Sequence, residues 1–174
     1  MNWRVLGVGG LVVIPLIVVL TLNRDREPRF VSDALEGDCP RLEGTFKTLA
    51  GNALSLEELT GSPLVLNFWS TTCFSCKIEH DDLVKARHLY ESRGVNFYAV
   101  MWHDTEAQAK AWLRENEAAF PILVDSSGSD RIAIELGVTA TPETFVLNSE
   151  GCVNKKFTGP VTVDMLASEL EPLL

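Results

Sequence analysis

Short apolar runs alternate along the chain with longer segments of helix-forming composition. Residues 63–69 and 95–101 are largely apolar runs of strand length, and they predict two buried strands. Residues 73–92 lie between these runs and have the composition of a helix, which is expected to end at Arg93 and Gly94. This part of the chain therefore predicts a strand, a helix and a second strand in succession.

The flanking segments continue the alternation of strands and helices. Residues 45–54 have the pattern of a small hairpin, and residues 121–125 form a further short apolar run. Capping residues predict where the other helices begin. These are the capping box Ser55-Leu56-Glu57-Glu58, Asp104 for a helix that continues to about residue 117, Ser129 or Asp130 for a helix that ends at Gly137, and Thr162 for a last helix after a hairpin of residues 144–148 and 152–158. We therefore expect an α/β fold in which helices flank a mixed central sheet.

The first 23 residues differ in character from the rest of the chain. No charged residue occurs between Val5 and Leu22, and a helix of these residues would be about 27 Å long, close to the hydrocarbon thickness of a bilayer. Pro15 is compatible with a membrane helix. A cleaved signal peptide is the alternative, but residues 21–23 make a poor cleavage site. We therefore predict an uncleaved transmembrane anchor over residues 1–23.

A polar segment separates the predicted anchor from the rest of the chain. Residues 24–38 are charged and contain proline and glycine, so we predict a tether to a globular domain over residues 39–174. Arg24, Arg26 and Arg29 follow the anchor, and the positive-inside rule therefore favours a cytoplasmic domain. Large domains are translocated with limited regard to charge, and the spacing of Cys73 and Cys76, which is typical of a redox pair, favours export. We predict the exported orientation, although the charge pattern conflicts with it.

The net charge argues against one class of partner. The net charge of −9 includes +1 from Arg4, so the chain after residue 23 carries −10. An acidic domain without a basic patch binds nucleic acid poorly, and no glycine-rich phosphate loop occurs. We expect neither a nucleic-acid partner nor a bound cofactor.

Cys73 and Cys76 lie between the predicted central strand and the predicted helix, whose N-cap would be Thr71 or Thr72. At a helix N-terminus, unpaired N–H groups and the helix dipole favour the thiolate of Cys73 over the thiol. Cys76 lies one turn later on the same face and can attack a mixed disulfide formed at Cys73. The spacing therefore predicts a redox pair, with Cys73 as nucleophile and Cys76 as resolving thiol.

Three other interpretations of this cysteine pair have less support. The first is two inert core cysteines, which would be unusual at a capped helix start. Together with His80 the cysteines form half of a zinc site, but no second Cys/His pair follows at a ligand spacing, so no metal is expected. A purely structural disulfide that closes so small a ring would add little stability.

Several motifs resemble the thioredoxin-like superfamily. Within it, they are most similar to the membrane-anchored cytochrome c biogenesis thiol:disulfide oxidoreductases called DsbE or CcmG, which have TlpA and ResA as relatives. The resemblance covers about residues 44–174 and implies a thioredoxin-like fold. The segments that carry it are Leu66-Asn67-Phe68-Trp69, Cys76-Lys77-Ile78-Glu79-His80, Asp104 with Ala111-Trp112-Leu113, and Gly137-Val138-Thr139-Ala140-Thr141-Pro142-Glu143-Thr144-Phe145.

The resemblance implies roles for residues outside the cysteine pair. Thr141 and Pro142 match the cis-proline loop, whose backbone pairs with the substrate chain beside the disulfide. Glu79 and Glu143 match acidic residues that flank the active site. From the sequence alone, Glu79 lies one helical turn from Cys76 and could exchange a proton or raise a thiol pKa, and a solvated helix glutamate is the alternative.

Asn67 and Trp69 precede the cysteines and are predicted to support the active site. Asn67 stands where thioredoxins have a buried aspartate. An amide cannot carry a proton, so Glu143 is the predicted source of acid–base help. Thr72 stands where the family usually has tryptophan, and the two residues between the cysteines are an uncommon pair. These departures leave the substrate specificity open.

Cys39 and Cys152 lie outside the redox motif. In an exported domain, an even number of cysteines permits a structural disulfide between the end of the tether and the final hairpin. Two separate free thiols are the alternative, since the sequence does not give the distance between them.

The resemblance implies a function as well. The chain would reduce the disulfide in the Cys-x-x-Cys-His haem-attachment motif of apocytochrome c, on the periplasmic side of the inner membrane, and a membrane thiol reductant of the DsbD or CcdA kind would re-reduce it. A general exported reductase or oxidant is the first alternative, because the sequence does not give the reduction potential. A copper chaperone is the second, with Cys73 and Cys76 as soft ligands and His103 to be excluded as another.

Overall fold

The computed structural model describes residue 39 and residues 45–116, 118–125 and 131–174. The predicted anchor, the predicted tether and the predicted helix start at Ser129 or Asp130 lie outside these residues. Within the described ranges, no helix is long and apolar enough to cross a membrane.

Seven strands form one mixed sheet within the described residues. They are β1 (Thr45–Thr48), β2 (Ala53–Ser55), β3 (Leu64–Trp69), β4 (Asn96–Met101), β5 (Ile122–Asp125), β6 (Glu143–Leu147) and β7 (Val153–Thr158), in the order β2-β1-β5-β4-β3-β6-β7. β3, β4 and β5 are parallel to one another, whereas β6 is antiparallel to both β3 and β7. The mixed sheet expected from the sequence is therefore confirmed.

The described residues also contain four α-helices and three short 3-10 helices. The α-helices are α1 (Phe74–Tyr90), α2 (Glu106–Trp112), α3 (Arg131–Glu135) and α4 (Val163–Leu170), and the 3-10 helices are Glu57–Leu59, Glu91–Arg93 and Glu171–Leu173. α1 connects β3 to β4, α2 connects β4 to β5, and side chains of both helices pack in one cluster on the same face of the sheet. Right-handed crossovers, the usual hand between parallel strands, produce this arrangement.

Two hydrophobic clusters lie on opposite faces of the sheet, because side chains alternate along each strand. On one face, Val65 and Trp69 of β3 pack with side chains of α1, α2 and α4. On the other face, Leu66 and Phe68 pack with α3 and with the first 3-10 helix. Every residue of β3 is buried, so the strand that leads into the cysteine pair is the rigid centre of the fold.

The start of α1 differs from the prediction. The N-cap is Cys73 itself, whose Sγ accepts a 3.0 Å hydrogen bond from the N–H of Cys76. Neither Thr71 nor Thr72 caps the helix, because the chain turns into the helix only after both residues.

The start and the length of α2 also differ from the prediction. Thr105 is the N-cap, and its hydroxyl accepts a 3.2 Å hydrogen bond from the N–H of Gln108. Asp104 is not available as the cap, since its carboxylate is bound elsewhere. The helix ends at Trp112 rather than near residue 117, and the side chain of Asn116 donates to the carbonyl of Trp112.

The predicted cap at Thr162 is confirmed, whereas the predicted capping box at Ser55 is only partly formed, because Leu56 rather than Ser55 is the N-cap of the element that follows. The hydroxyl of Thr162 accepts from the N–H of Met165 at the start of α4. The N–H of Ser55 donates to the carboxylate of Glu58, and the Ser55 hydroxyl accepts from the N–H of Glu57, although the element that follows is a 3-10 helix.

Candidate active site

Cys73 and Cys76 form a disulfide across the first turn of α1, with their Cα atoms 5.3 Å apart. Cys73 is half-buried, whereas Cys76 is buried. The structure thus makes Cys73 the more accessible of the two residues, which is the arrangement required of an attacking and a resolving thiol.

Asp104 holds the loop between β3 and α1. Its Oδ2 accepts a 2.6 Å hydrogen bond from the backbone N–H of Thr71, and its Oδ1 accepts from the N–H of Thr105 at 2.8 Å. The N–H of Trp102 also donates to the carbonyl of Trp69 at 3.0 Å. The segment after β4 therefore fixes the chain just before Cys73.

Glu79 lies on the buried side of α1 and is only 1% exposed. Its Oε1 accepts a 2.9 Å hydrogen bond from Asn67 Nδ2, and its Oε2 accepts a 2.9 Å hydrogen bond from the N–H of Val161. Asn67 Nδ2 also donates to the hydroxyl of Thr144 at 3.0 Å. Glu79, Asn67 and Thr144 thus form a buried cluster of hydrogen-bonded side chains, and the alternative of a solvated glutamate is wrong.

The environment of Glu79 changes its acidity. Burial raises the pKa of Glu79 from 4.5 to about 7, and the hydrogen bonds from Val161 and Asn67 offset part of that rise. Residues three apart on a helix have their Cβ atoms about 5–6 Å apart, so Glu79 is the near neighbour of Cys76 on the buried face. A carboxyl group with this pKa can exchange a proton with the Cys76 thiol near neutral pH.

Glu143 occupies the other face of the sheet. It pairs with Phe68 across β3 and β6, so its side chain points away from α1, and it is 1% exposed. Its Oε2 lies 2.9 Å from Lys156 Nζ, and its Oε1 accepts a 3.2 Å hydrogen bond from the hydroxyl of Thr139. The acid–base role predicted for Glu143 therefore fits Glu79 instead, because Thr144 rather than Glu143 shares a face with Asn67.

The Thr141-Pro142 peptide bond is cis. Pro142 directly precedes β6, whose first residue pairs with Phe68 near the end of β3. The loop therefore lies at the same edge of the sheet as the cysteine pair. The N–H of Gly159 donates to the Pro142 carbonyl at 2.9 Å.

A small cleft lies beside Cys76. Asn67, Trp69, His80 and Trp112 contribute to its lining, and its volume of about 30 Å³ has room for about one water molecule. The ring centroids of Trp69 and Trp112 are 5.2 Å apart, and those of His80 and Trp112 are 5.0 Å apart. Trp112 thus forms one wall of the cleft.

Sequence reasoning missed Val161, Thr144 and Lys156. Val161 and Thr144 reach Glu79 and Asn67 from positions 82 and 77 residues away in the chain, and no local motif signals such contacts. Within the ranges that the structure describes, no group of three or more His, Cys, Asp or Glu side chains could hold a metal ion.

The chain is similar to a known protein family and to characterised relatives. The family model described as Redoxin matches residues 34–174. This chain belongs to the redoxin family. The redoxin is 33% identical over 121 residues to the thiol:disulfide interchange protein DsbE of Pseudomonas aeruginosa, and the alignment covers 69% of this chain and 64% of that protein. It is 31% identical over 114 residues to the thiol:disulfide interchange protein HelX of Rhodobacter capsulatus, covering 66% and 62% of the two chains. The redoxin thus spans less than two thirds of these relatives.

Solved structures show the same fold. The redoxin has a TM-score of 0.68 and 26% identity to MTB dsbF, solved in its mixed oxidised and reduced forms, with 79% of this chain and 100% of that chain covered. It has a TM-score of 0.62 and 24% identity to StoA from Bacillus subtilis, with 75% and 98% covered. The thioredoxin-like fold and the similarity to DsbE-type proteins are therefore confirmed.

The redoxin has a second disulfide, between Cys39 and Cys152, whose Cα atoms are 5.1 Å apart. Cys152 lies in the turn between β6 and β7, and its N–H donates to Asn148 Oδ1 at 3.0 Å. This turn is at the end of β6 opposite to Pro142. Of the two arrangements that the sequence left open, the structure contains the disulfide.

Proposed function

We propose that this redoxin is a protein-disulfide reductase whose substrate is the haem-attachment disulfide of apocytochrome c. The observation that carries the proposal is the Cys73–Cys76 disulfide at the start of α1, with the buried acid Glu79 one turn further along. The printed names of the relatives, thiol:disulfide interchange proteins, support the reaction type. The similarity to the DsbE group supports the choice of substrate.

The reaction begins with the reduced protein. The thiolate of Cys73 attacks one sulfur of the substrate disulfide, the substrate S–S bond breaks, and the departing substrate sulfur takes a proton from solvent. Cys76 then transfers its proton to Glu79 and attacks the Cys73 sulfur of the mixed disulfide. The second substrate thiolate leaves and takes up a proton. The substrate gains two electrons and two protons, and the protein is left with the disulfide seen in the structure.

The loop at Thr141 would hold the substrate during these steps. It lies at the edge of the sheet that carries the cysteine pair, and the family resemblance assigns its backbone to pairing with an extended substrate chain. The cleft beside Cys76 has room for water next to the resolving thiol.

The cellular setting is part of the proposal. The uncharged stretch within residues 1–23 would anchor the protein in the inner membrane, and residues 24–38 would tether the domain on the periplasmic side. Tethering raises the effective concentration of the domain near other membrane-bound assembly components. A membrane thiol reductant of the DsbD or CcdA kind would then reduce the Cys73–Cys76 disulfide after each turnover.

The decisive measurement is the reduction potential of the Cys73–Cys76 pair. The full-length chain is equilibrated with glutathione or dithiothreitol buffers, free thiols are alkylated, and peptides are quantified by mass spectrometry so that Cys39 and Cys152 are counted separately. Cys73→Ser is the control. We expect a value near that of thioredoxin, about −270 mV, whereas a value near about −120 mV would make the protein an oxidant and contradict the proposal.

A deletion strain tests the substrate separately. We expect haem-staining c-type cytochromes to be lost and to return with the wild-type gene but not with Cys73→Ser. Normal cytochromes in the deletion strain would contradict apocytochrome c as substrate and leave the reductase chemistry intact.

A further inference from the structure

One lysine of β7 joins both ends of the loop that carries Thr141 and Pro142. Lys156 Nζ donates a 2.8 Å hydrogen bond to the carbonyl of Gly137, which lies just before the loop. The same nitrogen is 2.9 Å from Oε2 of Glu143, which lies just after it. The loop of residues 138–142 is therefore closed at its base by a single ammonium group.

The ammonium group of Lys156 and the carboxylate of Glu143 meet where little solvent reaches them. The side chain of Lys156 is 23% exposed and that of Glu143 is 1% exposed. A buried carboxylate needs a positive partner, and removal of that partner leaves an uncompensated charge. Such buried pairs often add little net stability, and their better-supported use is to select one conformation among several.

Further contacts tie the same loop to the same pair. The hydroxyl of Thr139 donates to Oε1 of Glu143, so a residue within the loop is bound to the carboxylate that Lys156 holds. On the other side, the N–H of Gly159 donates to the carbonyl of Pro142 at 2.9 Å. The side-chain contacts of Glu143 lie on the face of the sheet opposite to α1, and the Gly159–Pro142 bond continues the backbone ladder of β6 and β7, so none of them involves the cysteines.

We propose that Lys156 is a positioning residue for substrate binding. By holding Gly137 and Glu143 together, it keeps the backbone of Thr141 in the conformation that pairs with an extended substrate chain. The inference rests on the proposed function, since it requires a polypeptide substrate at this loop. It predicts that Lys156 affects the binding of protein substrates and leaves the redox chemistry of Cys73 unchanged.

The test compares Lys156→Met with Lys155→Met in the full-length chain. Lys155 is the exposed neighbour on the opposite face of β7, and its ammonium group lies 5.8 Å from the ring centroid of Phe157. The substrate is a peptide with an oxidised Cys-x-x-Cys-His sequence, and glutathione disulfide serves as a small substrate. We expect Lys156→Met to raise KM for the peptide about tenfold with kcat unchanged, because only substrate binding is affected.

The remaining readouts separate positioning from general damage. The reduction potential and the rate with glutathione disulfide should equal those of the wild type, and Lys155→Met should match the wild type throughout. Lys156→Arg should recover part of the peptide KM, because guanidinium donates several hydrogen bonds from one group. A wild-type KM for Lys156→Met, or equal losses with both substrates, would overturn the inference.

Hydrogen exchange tests the inference without any substrate. The Gly159 N–H, which is bonded to Pro142, should exchange about tenfold faster in Lys156→Met, while the amides of α1 should keep their rates. Unchanged exchange at Gly159 would contradict the inference even if the wild type proved inactive on peptides, an outcome that would separately contradict the proposed function. If Lys156→Met does not fold, Glu143→Gln replaces it, with a smaller rise in KM expected.

Discussion

Asn67 Nδ2 donates a 2.9 Å hydrogen bond to Oε1 of Glu79, and this contact joins the central strand to the helix that carries the redox disulfide. Both side chains are buried, and the second donor to Glu79, the N–H of Val161, is also neutral. Neutral donors offset only part of the cost of burying the charge, so the pKa of Glu79 stays at about 7. A group with this pKa changes its charge in the pH range where the protein is expected to work.

Glu79→Gln should slow the step in which Cys76 resolves the mixed disulfide. The amide cannot accept the thiol proton, and the loss of a general base typically costs about a hundredfold or more in rate. Stopped-flow measurement of this step between pH 5 and pH 9 should show the wild-type pH dependence near pH 7 and its loss in the variant. Asp81→Asn, an exposed change on the same helix, is the control, and equal rates for Glu79→Gln and wild type would contradict the assignment.

The stability of the fold should also depend on Glu79. Because the pKa of Glu79 rises from 4.5 to about 7 on folding, the folded protein retains a proton that the unfolded chain loses. Stability should therefore fall as pH increases from about 4.5 to about 7, with a contribution of about 3 kcal/mol from this group. The unfolding free energy, measured with urea, should differ less between pH 5 and pH 8 in Glu79→Gln than in the wild type. If the two proteins showed the same difference, the pKa of Glu79 would not be raised in the folded protein.

Asp104→Ala should loosen the loop before the cysteines. The variant removes the acceptor of the Thr71 N–H, and the loss of a hydrogen bond to a charged group costs about 2 kcal/mol. Chemical denaturation should give the change in unfolding free energy, and hydrogen exchange at Thr71 should become faster. Asp104→Asn keeps one acceptor oxygen, so its unfolding free energy should lie between that of the wild type and that of Asp104→Ala. A variant with wild-type exchange at Thr71 would show that another group holds the loop.

Cys39→Ser should destabilise the domain without impairing its chemistry. The Cys39–Cys152 disulfide joins residues 113 positions apart, and the chain-entropy model gives about 4–5 kcal/mol for a loop of this length. Cys39→Ser and the double variant with Cys152→Ser should lose similar amounts of unfolding free energy and keep the Cys73–Cys76 reduction potential. A changed potential would show that the two disulfides are coupled.

The sequence was sufficient to predict the elements with strong local signals. The apolar run of residues 63–69 corresponds to β3, and Thr162 caps α4 as expected. The start of α1 was harder, because Thr71, Thr72 and Cys73 all have side chains that can accept a hydrogen bond. The path of the chain after β3 decides among them, and Asp104, 33 residues away, holds that path.

The environments of Glu79 and Glu143 could be predicted from the sequence only in part. Spacing placed Glu79 next to Cys76, but its burial and its raised pKa come from Asn67 and Val161, which are distant in the chain. The face occupied by Glu143 follows from the register of β6 against β3. A shift of one residue in that register would reverse the face, and no pattern within the Pro-Glu-Thr-Phe segment reveals it.

The second disulfide determines the direction from which partners can approach. It fixes Cys39 to the turn after β6, whereas Pro142 lies at the other end of that five-residue strand, about 17 Å away at 3.4 Å per residue. The chain before residue 39 is therefore attached at the end of the sheet remote from Cys73. With the preceding chain attached at that end, the sulfur of Cys73 lies at the opposite end of the domain. A partner can therefore bind at Cys73 without contacting the point of attachment.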